Sequence, residues 1–495
     1  MYVPELSSFA GLLADADLVP VHRTIVADLD TPLTLFAKVA GDDPHGFLFE
    51  SMEGGERWGR YSFIGLQPLA LFSSCHDSVR VEFPGRQERD AEVHGCNPLH
   101  ELRRLLDSFA VSHVPGLPRF YGGAVGYLGY DMVRFMERLP DRHPPDTFPD
   151  SCFMVPGIVL IHDALRQNLT IVRNVWKQEG DDPAHLYAAA CAQIDAVEAR
   201  VRQPLSGDQP AQTGQERSHH FESDMDRAAF MAMVEQAKEY IRAGDIIQVV
   251  LSQRFHTRFS LSPFVLYRAL RHINPSPYLF YLRQKDRTLI GSSPEILVRL
   301  EDGCIAGRPI AGTRKRGRTA EEDRALEQEL LADPKERAEH LMLVDLGRND
   351  IGRVAAPGSV TVDELMVVER YSHVMHLVSG VHGQLAEGLN QFDVLTACFP
   401  AGTLSGAPKI RAMELIDELE HCRRGPYGGA VGYFGFSGNM DFCIAIRTFF
   451  LQGDHLWVQA GAGIVADSDP AAEYEETINK AMGLRRALQR AEQGL

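Results

Sequence analysis

The 495-residue sequence has no run of about 20 apolar residues, and so it offers no candidate for a membrane-spanning helix. Its first residues lack the basic start and unbroken apolar stretch of a signal peptide. Basic residues are also few: 50 lysines and arginines stand against 67 aspartates and glutamates, a net charge of −17. Because a nucleic-acid surface needs a basic footprint, we expect neither nucleic acid nor a membrane among the partners.

Cysteine is sparse: eight residues are scattered along the chain, and none forms a C-x-x-C pair. We therefore expect reduced thiols in a cytoplasmic protein. No cysteine lies in a glycine-flanked turn with an obvious histidine partner, which argues against a cysteine nucleophile. The regular strand–helix alternation of a doubly wound sheet is missing as well.

The chain is too long for one ordinary core, and two domains are expected. A polar stretch rich in Pro, Gly and Gln predicts a linker over 203–220, between an N-terminal domain over 1–202 and a C-terminal domain over 221–495. We expect an α+β fold of mixed, largely antiparallel sheets packed as a sandwich with helices outside, plus a smaller N-terminal α/β region.

Two glycine-rich segments resemble each other: GGAVGYLGY at 122–130 and GGAVGYFGF at 428–436. Glycines within strands indicate close approach by another backbone. One interpretation is that the two domains pair similar strands where they meet. Two ordinary glycine-rich strands are the alternative, because so short a repeat does not prove duplication.

Two Glu-x-x-Glu pairs each follow an Asp-Pro step: Glu336 with Glu339 after Asp333-Pro334, and Glu473 with Glu476 after Asp469-Pro470. Asp is a good helix N-cap and Pro fits the first turn, so both pairs are expected at helix starts. Residues three apart share a helix face, and four converging carboxylates would suit Mg²⁺. Helix capping by Glu336 and ordinary exposed glutamates are the competing interpretations.

Three further features suit anionic groups. Small residues at the end of a buried strand, Gly461–Gly463, would let backbone amides approach an anion. Thr403 and Lys409 in FPAGTLSGAPK indicate an anion site at a helix start, although the spacing is not that of a Walker loop. Arg447 lies in DFCIAIRTFF, which predicts an apolar strand, and its partner would be either an internal carboxylate or a ligand carboxylate.

Two residues are candidates for proton transfer. Glu295 follows a Ser-Ser-Pro turn in IGSSPEILVRL, where a carboxyl flanked by apolar residues would have a raised pKa and act as a general acid. His376, in YSHVMHLVSG, is the second candidate. A surface glutamate and a core histidine are the competing interpretations. Together these features suggest a small substrate with more than one carboxylate, and elimination or addition chemistry.

The motifs GSSPE, PIAGTRKRG, EHLMLVDLGRND, HVMHLVSG, AGTLSGAPK, GGAVGYFGF, IAIRT, QAGAGIVADSDP and EYEETINKA occur together in the C-terminal half. This combination resembles the chorismate-utilising enzymes, and among them the anthranilate synthase component I family. The resemblance covers nearly the whole chain. It implies a lyase that converts chorismate and ammonia to anthranilate and pyruvate, the first step of L-tryptophan biosynthesis.

The resemblance also implies roles for single residues. Glu295 would protonate the leaving 4-hydroxyl of chorismate, and His376 would assist the later loss of pyruvate. Mg²⁺ would be bound by Glu339 and Glu476, with Glu336 and Glu473 in support. Chorismate would be bound by Gly312, Thr313, Thr403, Tyr427, Arg447, Gly461, Ala462 and Gly463.

Two positions separate this chain from related families. Aminodeoxychorismate synthase component I, the alternative reading, carries a nucleophilic Lys where this chain has Ala311. Isochorismate and salicylate synthases carry a Lys base where this chain has Gln248. Both differences favour the anthranilate synthase assignment.

Regulation and assembly are also implied by the resemblance. FLFESMEGGERWGRYSFIG and NPSPYLFY are similar to the feedback site of the family, so L-tryptophan would contact Ser51, Pro277, Tyr278 and Leu279. Ammonia would come from a separate glutamine amidotransferase subunit, component II. The expected assembly is a heterotetramer of two large and two small subunits.

Overall fold

The computed structural model describes residues 1–41, 43–51, 59–85, 90–205, 221–371 and 374–494. Most of the predicted linker, 206–220, and part of the predicted feedback motif, 52–58, lie outside these residues. Within the described residues, 22 strands form one connected network, and the pairings between them are antiparallel. The expected α+β fold with largely antiparallel sheets is therefore confirmed.

The N-terminal segment contains the first strands and four of the helices. The strands are β1 (Leu18–Val26), β2 (His45–Glu50), β3 (Tyr61–Cys75), β4 (Ser78–Glu82), β5 (Ala91–His94), β6 (Gly123–Leu128), β7 (Ser151–Asp163) and β8 (Asn168–Trp176). The helices are α1 (Leu6–Asp15), α2 (Pro32–Val39), α3 (Pro98–Asp107) and α4 (Pro183–Val201), with a 3₁₀ helix at Tyr130–Phe135.

The C-terminal segment contains the remaining elements. Its strands are β9 (Glu222–Ser223), β10 (Gln248–Arg258), β11 (Tyr278–Gln284), β12 (Arg287–Ser293), β13 (Ile296–Glu301), β14 (Cys304–Gly307), β15 (Ile310–Lys315), β16 (Thr361–Arg370), β17 (Val374–Gln384), β18 (Gly406–Ala407), β19 (Ala430–Gly435), β20 (Met440–Ile444), β21 (Thr448–Gln452) and β22 (His455–Ile464). Its helices are α5 (Arg227–Ala243), α6 (Pro263–Ile273), α7 (Ala320–Ala332), α8 (Pro334–Gly352), α9 (Gln391–Cys398), α10 (Lys409–Leu419) and α11 (Pro470–Gln493), with a 3₁₀ helix at Gly402–Leu404.

Both acidic helices begin where the Asp-Pro steps predict. The Asp333 carboxylate accepts from the amides of Lys335 and Glu336 at 2.9 and 3.2 Å, and Asp469 accepts from the Ala472 amide at 2.8 Å. Helix α8 packs against β15 and β17, while α11 packs against β22 and α6. Capping and packing together place the two acidic first turns beside the same group of strands.

The two glycine-rich segments pair with each other, which is the first of the two interpretations considered for their similarity. Strand β6 runs antiparallel to β19, with Gly126 opposite Gly432. A Cβ at Gly126 would lie 1.9 Å from the Cys152 carbonyl oxygen, and one at Gly432 would lie 2.0 Å from that of Asp441. Only glycine allows this approach. Strands β2 and β11 also join the N- and C-terminal segments, while the domain boundaries themselves stay a prediction.

The strand predicted around Arg447 is interrupted. β20 ends at Ile444 and β21 begins at Thr448, because β20 pairs with β13 and β19 whereas β21 pairs with β12 and β22. Between the two strands Arg447 has a φ of 52°, in the left-handed region that non-glycine residues seldom adopt. No helix among the described residues is both long and apolar enough to span a membrane.

Candidate active site

One cavity of about 640 Å³ lies where β10, β15, β17 and β22 meet the first turns of α8 and α11. It brings together side chains that are far apart in the sequence. The residues predicted for catalysis, chorismate binding and metal binding that line it are Glu295, Gly312, Thr313, Glu336, Glu339, His376, Thr403, Tyr427, Arg447, Gly461, Gly463, Glu473 and Glu476.

Glu295 has the protonation behaviour of a general acid. Burial raises the pKa of its carboxyl to about 7, although Thr403, Lys480 and Arg447 each act to lower it. Thr403 Oγ1 donates to Glu295 Oε1 at 2.8 Å, and the Ile444 amide donates to the Glu295 carbonyl oxygen at 3.0 Å. A carboxyl that titrates near neutral pH holds a proton for transfer at physiological pH.

Arg447 faces the same cavity without an ion-pair partner. Burial lowers the pKa of its guanidinium, and no carboxylate of the described residues lies within ion-pair distance of it. Its strained backbone directs the side chain into the cavity wall beside Tyr427. Of the two interpretations considered for Arg447, the geometry favours binding of a ligand carboxylate over an internal salt bridge.

His376 lies at the edge of the cavity and is held by β15. Its Nδ1 is 3.1 Å from the Gly312 carbonyl oxygen and 3.0 Å from Thr313 Oγ1. A nitrogen that bonds a carbonyl oxygen must donate, so Nε2 is the ring nitrogen left to accept a proton. Burial lowers the pKa of His376, and the ring is therefore neutral at pH 7. A neutral imidazole with an open Nε2 is suited to act as a base.

Along strand β22, the backbone amide and carbonyl groups of every second residue face the cavity. Lys480 Nζ donates to the Gly461 carbonyl oxygen at 2.8 Å, so the Gly461 backbone points away from β10. Neighbouring residues in a strand point in opposite directions, so Gly463 shares this orientation whereas Ala462 directs its amide to β10. The Ala462 side chain is fully buried in the core. The register leaves Gly461 and Gly463 facing the cavity and does not support Ala462 as an amide donor.

The starts of α8 and α11 bring carboxylates together. Burial raises the pKa of Glu339, and the charges of Glu336 and Glu476 raise it further. The pKa of Glu473 is also raised, by burial and by Glu476. The cluster therefore carries negative charge that its surroundings do not fully balance.

Basic side chains engage two of these acids. Arg314 Nη1 lies 3.1 Å from Glu336 Oε1, and Lys480 Nζ lies 2.7 Å from Glu476 Oε1. Glu336 thus pairs with a strand arginine instead of capping its own helix. Among the described residues, no group of three or more His, Cys, Asp or Glu side chains is arranged to hold a metal ion.

Some cavity residues were not expected from the sequence. Lys335, Gln459 and Lys480 also line the wall. Lys480 follows Glu476 by four residues in one helix, a spacing that could have indicated the ion pair. Gln459 gives no such signal, because only the fold brings its Nε2 to 2.9 Å from Ser252 Oγ.

A second, smaller pocket of about 50 Å³ lies beside the paired strands β2 and β11. Tyr278 Oη donates to Asp441 Oδ1 at 2.8 Å, and Arg299 Nη2 donates to Asp441 Oδ2 at 2.5 Å. The charges in its wall are thus paired with each other. The predicted inhibitor contacts that line it are Ser51, Pro277, Tyr278 and Leu279.

A family model described as chorismate binding enzyme matches residues 55–486, and the chain therefore belongs to this family.

Individual proteins of known name are similar to this chain over nearly its whole length. The chain is 47% identical to anthranilate synthase component 1 of Acetivibrio thermocellus over 99% of both chains, and 49% identical to that of Pseudomonas putida over 96% of both. It also resembles the crystal structure of anthranilate synthase component I from Streptococcus pneumoniae TIGR4, with a TM-score of 0.76 and 36% identity over 93% of this chain and 99% of that one.

Proposed function

We propose that this chain is the chorismate-converting component of anthranilate synthase, which forms anthranilate and pyruvate from chorismate and ammonia. The observation that carries the proposal is one cavity that holds an unpaired arginine, Arg447, and a carboxyl with a pKa of about 7, Glu295. The first is suited to bind a carboxylate, and the second to protonate a leaving hydroxyl.

Different residues of the cavity would bind the substrate and transfer protons. Arg447 and Tyr427 bind the enolpyruvyl carboxylate of chorismate, and the Gly461 and Gly463 amides bind the ring carboxylate. Glu295 gives its proton to the 4-hydroxyl, so that the C4–O bond breaks and water leaves as the ammonia nitrogen bonds to C2. His376 then assists elimination of pyruvate, which makes the ring aromatic.

Ala311 argues against the aminodeoxychorismate synthase alternative. It lines the cavity beside Gly312 and Thr313. Its methyl group offers no nucleophile that could form a covalent intermediate with the ring. Free ammonia therefore fits this site better than a route through a covalent lysine adduct.

The acid cluster fits Mg²⁺ in its chemistry. Mg²⁺ takes hard oxygen ligands, and it commonly uses one or two protein carboxylates together with water and substrate oxygens. Burial and neighbouring acids raise the pKa values of Glu339 and Glu473, and a bound cation would stabilise their charged forms. Glu339 and Glu476 would hold the ion, with Glu336 and Glu473 in support. Bound there, Mg²⁺ would offset the repulsion between these acids and the ring carboxylate.

Ammonia would be supplied by a glutamine amidotransferase, component II, since the curated relatives are named as component 1. We extend the proposal to a cytoplasmic heterotetramer of two large and two small subunits. The scattered cysteines, all of them free thiols and two of them buried, suit a reducing compartment.

Tryptophan would bind in the small pocket and inhibit the enzyme. Strand β13 offers a physical link, because it begins directly after Glu295 and carries Arg299 into the wall of the small pocket. A ligand that shifts β13 would thereby change the position of the general acid. Inhibition would follow if tryptophan prefers an arrangement that binds chorismate poorly.

The experiment that tests the function is incubation of the purified chain with chorismate, Mg²⁺ and ammonium. Fluorescence of anthranilate is the expected result, and accumulation of aminodeoxychorismate would instead support the alternative. Repeating the assay with Glu339→Gln and Glu476→Gln tests the metal proposal, since each change should abolish Mg²⁺-dependent turnover. Full activity in either variant would remove that residue from the metal site.

A further inference from the structure

A buried ion pair lies directly behind the chorismate cavity. Arg424 is 2% exposed and Glu420 is 4% exposed. Arg424 Nε and Nη2 donate to the two Glu420 oxygens at 2.9 and 2.5 Å, in the forked geometry that arginine and carboxylate share. Neither residue lines the cavity.

The pair contacts several walls of the cavity at once. Arg424 donates to the carbonyl oxygens of Leu404 at 2.6 Å and Val250 at 2.7 Å, and its guanidinium lies 5.7 Å from the centre of the Tyr427 ring. Leu404 follows Thr403, which holds Glu295. Val250 lies on β10 opposite Gly463. The Arg424 guanidinium thus contacts the segment that holds Glu295, the strand that pairs with Gly463, and the ring of Tyr427.

Glu420 binds the same strand, β10, at a second residue. Its Oε1 accepts from both the amide and the hydroxyl of Ser252 at 2.8 Å. Ser252 lies opposite Gly461, and its hydroxyl accepts from Gln459 at 2.9 Å. The carboxylate therefore holds β10 in place along the edge of β22 with which it pairs, opposite the edge that Gly461 and Gly463 turn to the cavity.

We propose that Arg424 and Glu420 are positioning residues for the reaction, which set the relative placement of Tyr427, Thr403 and the Gly461–Gly463 strand edge. The proposal rests on the proposed function. Stability alone is a weak reason for such a pair, because a buried ion pair can often be replaced by apolar residues of similar volume without loss of stability. This pair instead contacts the segments that carry Tyr427, Thr403 and Gly461–Gly463, all of which would bind the same small substrate.

The test replaces both charges together, as Arg424→Met with Glu420→Leu, so that no buried charge is left unpaired. The expected variant folds but melts below the wild type, because the Leu404 and Val250 carbonyls and the Ser252 amide lose buried partners. It should lose about 100-fold in kcat/KM for chorismate, since displacements near 1 Å cost that much. The KM for ammonium should not change. The basic limb of the kcat–pH profile should move to higher pH, because Thr403 lowers the pKa of Glu295 and this hydrogen bond would loosen; Lys480 and Arg447, which also face Glu295, are unaltered.

A matched control is Lys38→Met with Asp30→Leu, an ion pair whose cation, on helix α2, also donates to a backbone carbonyl. Neither residue lines either pocket. It should keep kcat/KM within about twofold, as expected for a distant site. A stable Arg424→Met, Glu420→Leu variant with wild-type kinetics would overturn the proposal. If this variant does not fold, Arg424→Lys decides, because it keeps the charge but loses the fork: an unchanged KM for chorismate would overturn the proposal.

The wild-type assay separates this result from the proposed function. A wild-type chain that forms no anthranilate contradicts the function. In that case calorimetric binding of chorismate to the wild type and the double variant still tests the ion pair, with weaker binding expected for the variant and equal binding contradicting the proposal.

Discussion

The two pockets contain arginines in opposite situations. Arg447 faces the large cavity and has no carboxylate partner in the described part of the chain, and burial lowers its pKa. Arg299 faces the small pocket, bonds Asp441 at 2.5 Å, and has a raised pKa despite its burial because Asp441 and Tyr278 favour the charged form. An arginine left unpaired at a cavity wall is costly unless a ligand supplies the missing charge. The contrast favours the large cavity over the small pocket as the proposed site of an anionic substrate.

The largest expected effect concerns the general acid of the large cavity. Glu295→Gln should lower kcat by about 10³-fold, because general acid catalysis contributes roughly 10²–10⁴-fold. The measurement is anthranilate fluorescence under saturating chorismate and ammonium. Thermal unfolding of the variant controls for folding, and a kcat near that of the wild type would exclude Glu295 as the acid.

The comparison of the two arginines can be tested with one kind of substitution. Arg447→Met should lower kcat/KM for chorismate by at least about 100-fold, the cost of removing one member of a buried charge pair. The same change should leave the free energy of unfolding unchanged or higher, since no protein carboxylate loses a partner.

Arg299→Met should behave in the opposite way. It leaves Asp441 buried without its closest partner, so stability should fall by roughly 3 kcal/mol. Chemical denaturation of both variants measures the difference. Equal stability losses in the two variants would show that Arg447 also has a partner within the protein.

A smaller effect is expected in the pocket of about 50 Å³. Ser51→Phe would fill space that an indole ring needs, so the tryptophan concentration for half-inhibition should rise at least about tenfold, equivalent to 1.4 kcal/mol. Inhibition assays across tryptophan concentrations measure this shift. Unchanged inhibition would place the tryptophan site elsewhere.

The smallest effect is on pH dependence. The pKa of Glu295 is raised by burial to about 7, so its protonated form and kcat should decline as pH rises through that value. The same raised pKa contributes stability at pH values below the ordinary carboxyl pKa, and this contribution is lost as pH rises through about 7. Glu295→Gln should therefore gain stability relative to the wild type between pH 5 and pH 8. The measurement is the melting temperature of both proteins across this pH range, and a difference that stays constant with pH would contradict the prediction.

The sequence predicted those local structures that depend only on neighbouring residues. The Asp-Pro steps predicted the starts of α8 and α11, because Asp333 and Asp469 cap with their own side chains. The glycine repeat predicted a close strand pair for the same reason, since glycine alone tolerates the contact at Gly126. These outcomes depend on a few adjacent residues and on steric rules that hold in any fold.

Predictions failed where the partner strand decides the conformation. The segment around Arg447 has the composition of one strand, but its two ends pair with different neighbours and the chain must turn between them. The orientation of Ala462 was also outside the reach of the motif, because alternation along β22 directs its amide to β10 and its side chain to the core, while its role in binding stays a prediction. Neither outcome is encoded in the spacing of the motif itself.

The sequence by itself determined the family resemblance, the acidic helix starts and the identity of the residues offered for chemistry. Only the tertiary structure decided that Arg447 has no carboxylate partner among the described residues, that burial raises the pKa of Glu295 to about 7, and that Arg424 and Glu420 form a buried ion pair behind the cavity. The reason is physical: charge state and unmet hydrogen-bonding capacity depend on what the rest of the fold packs around a group.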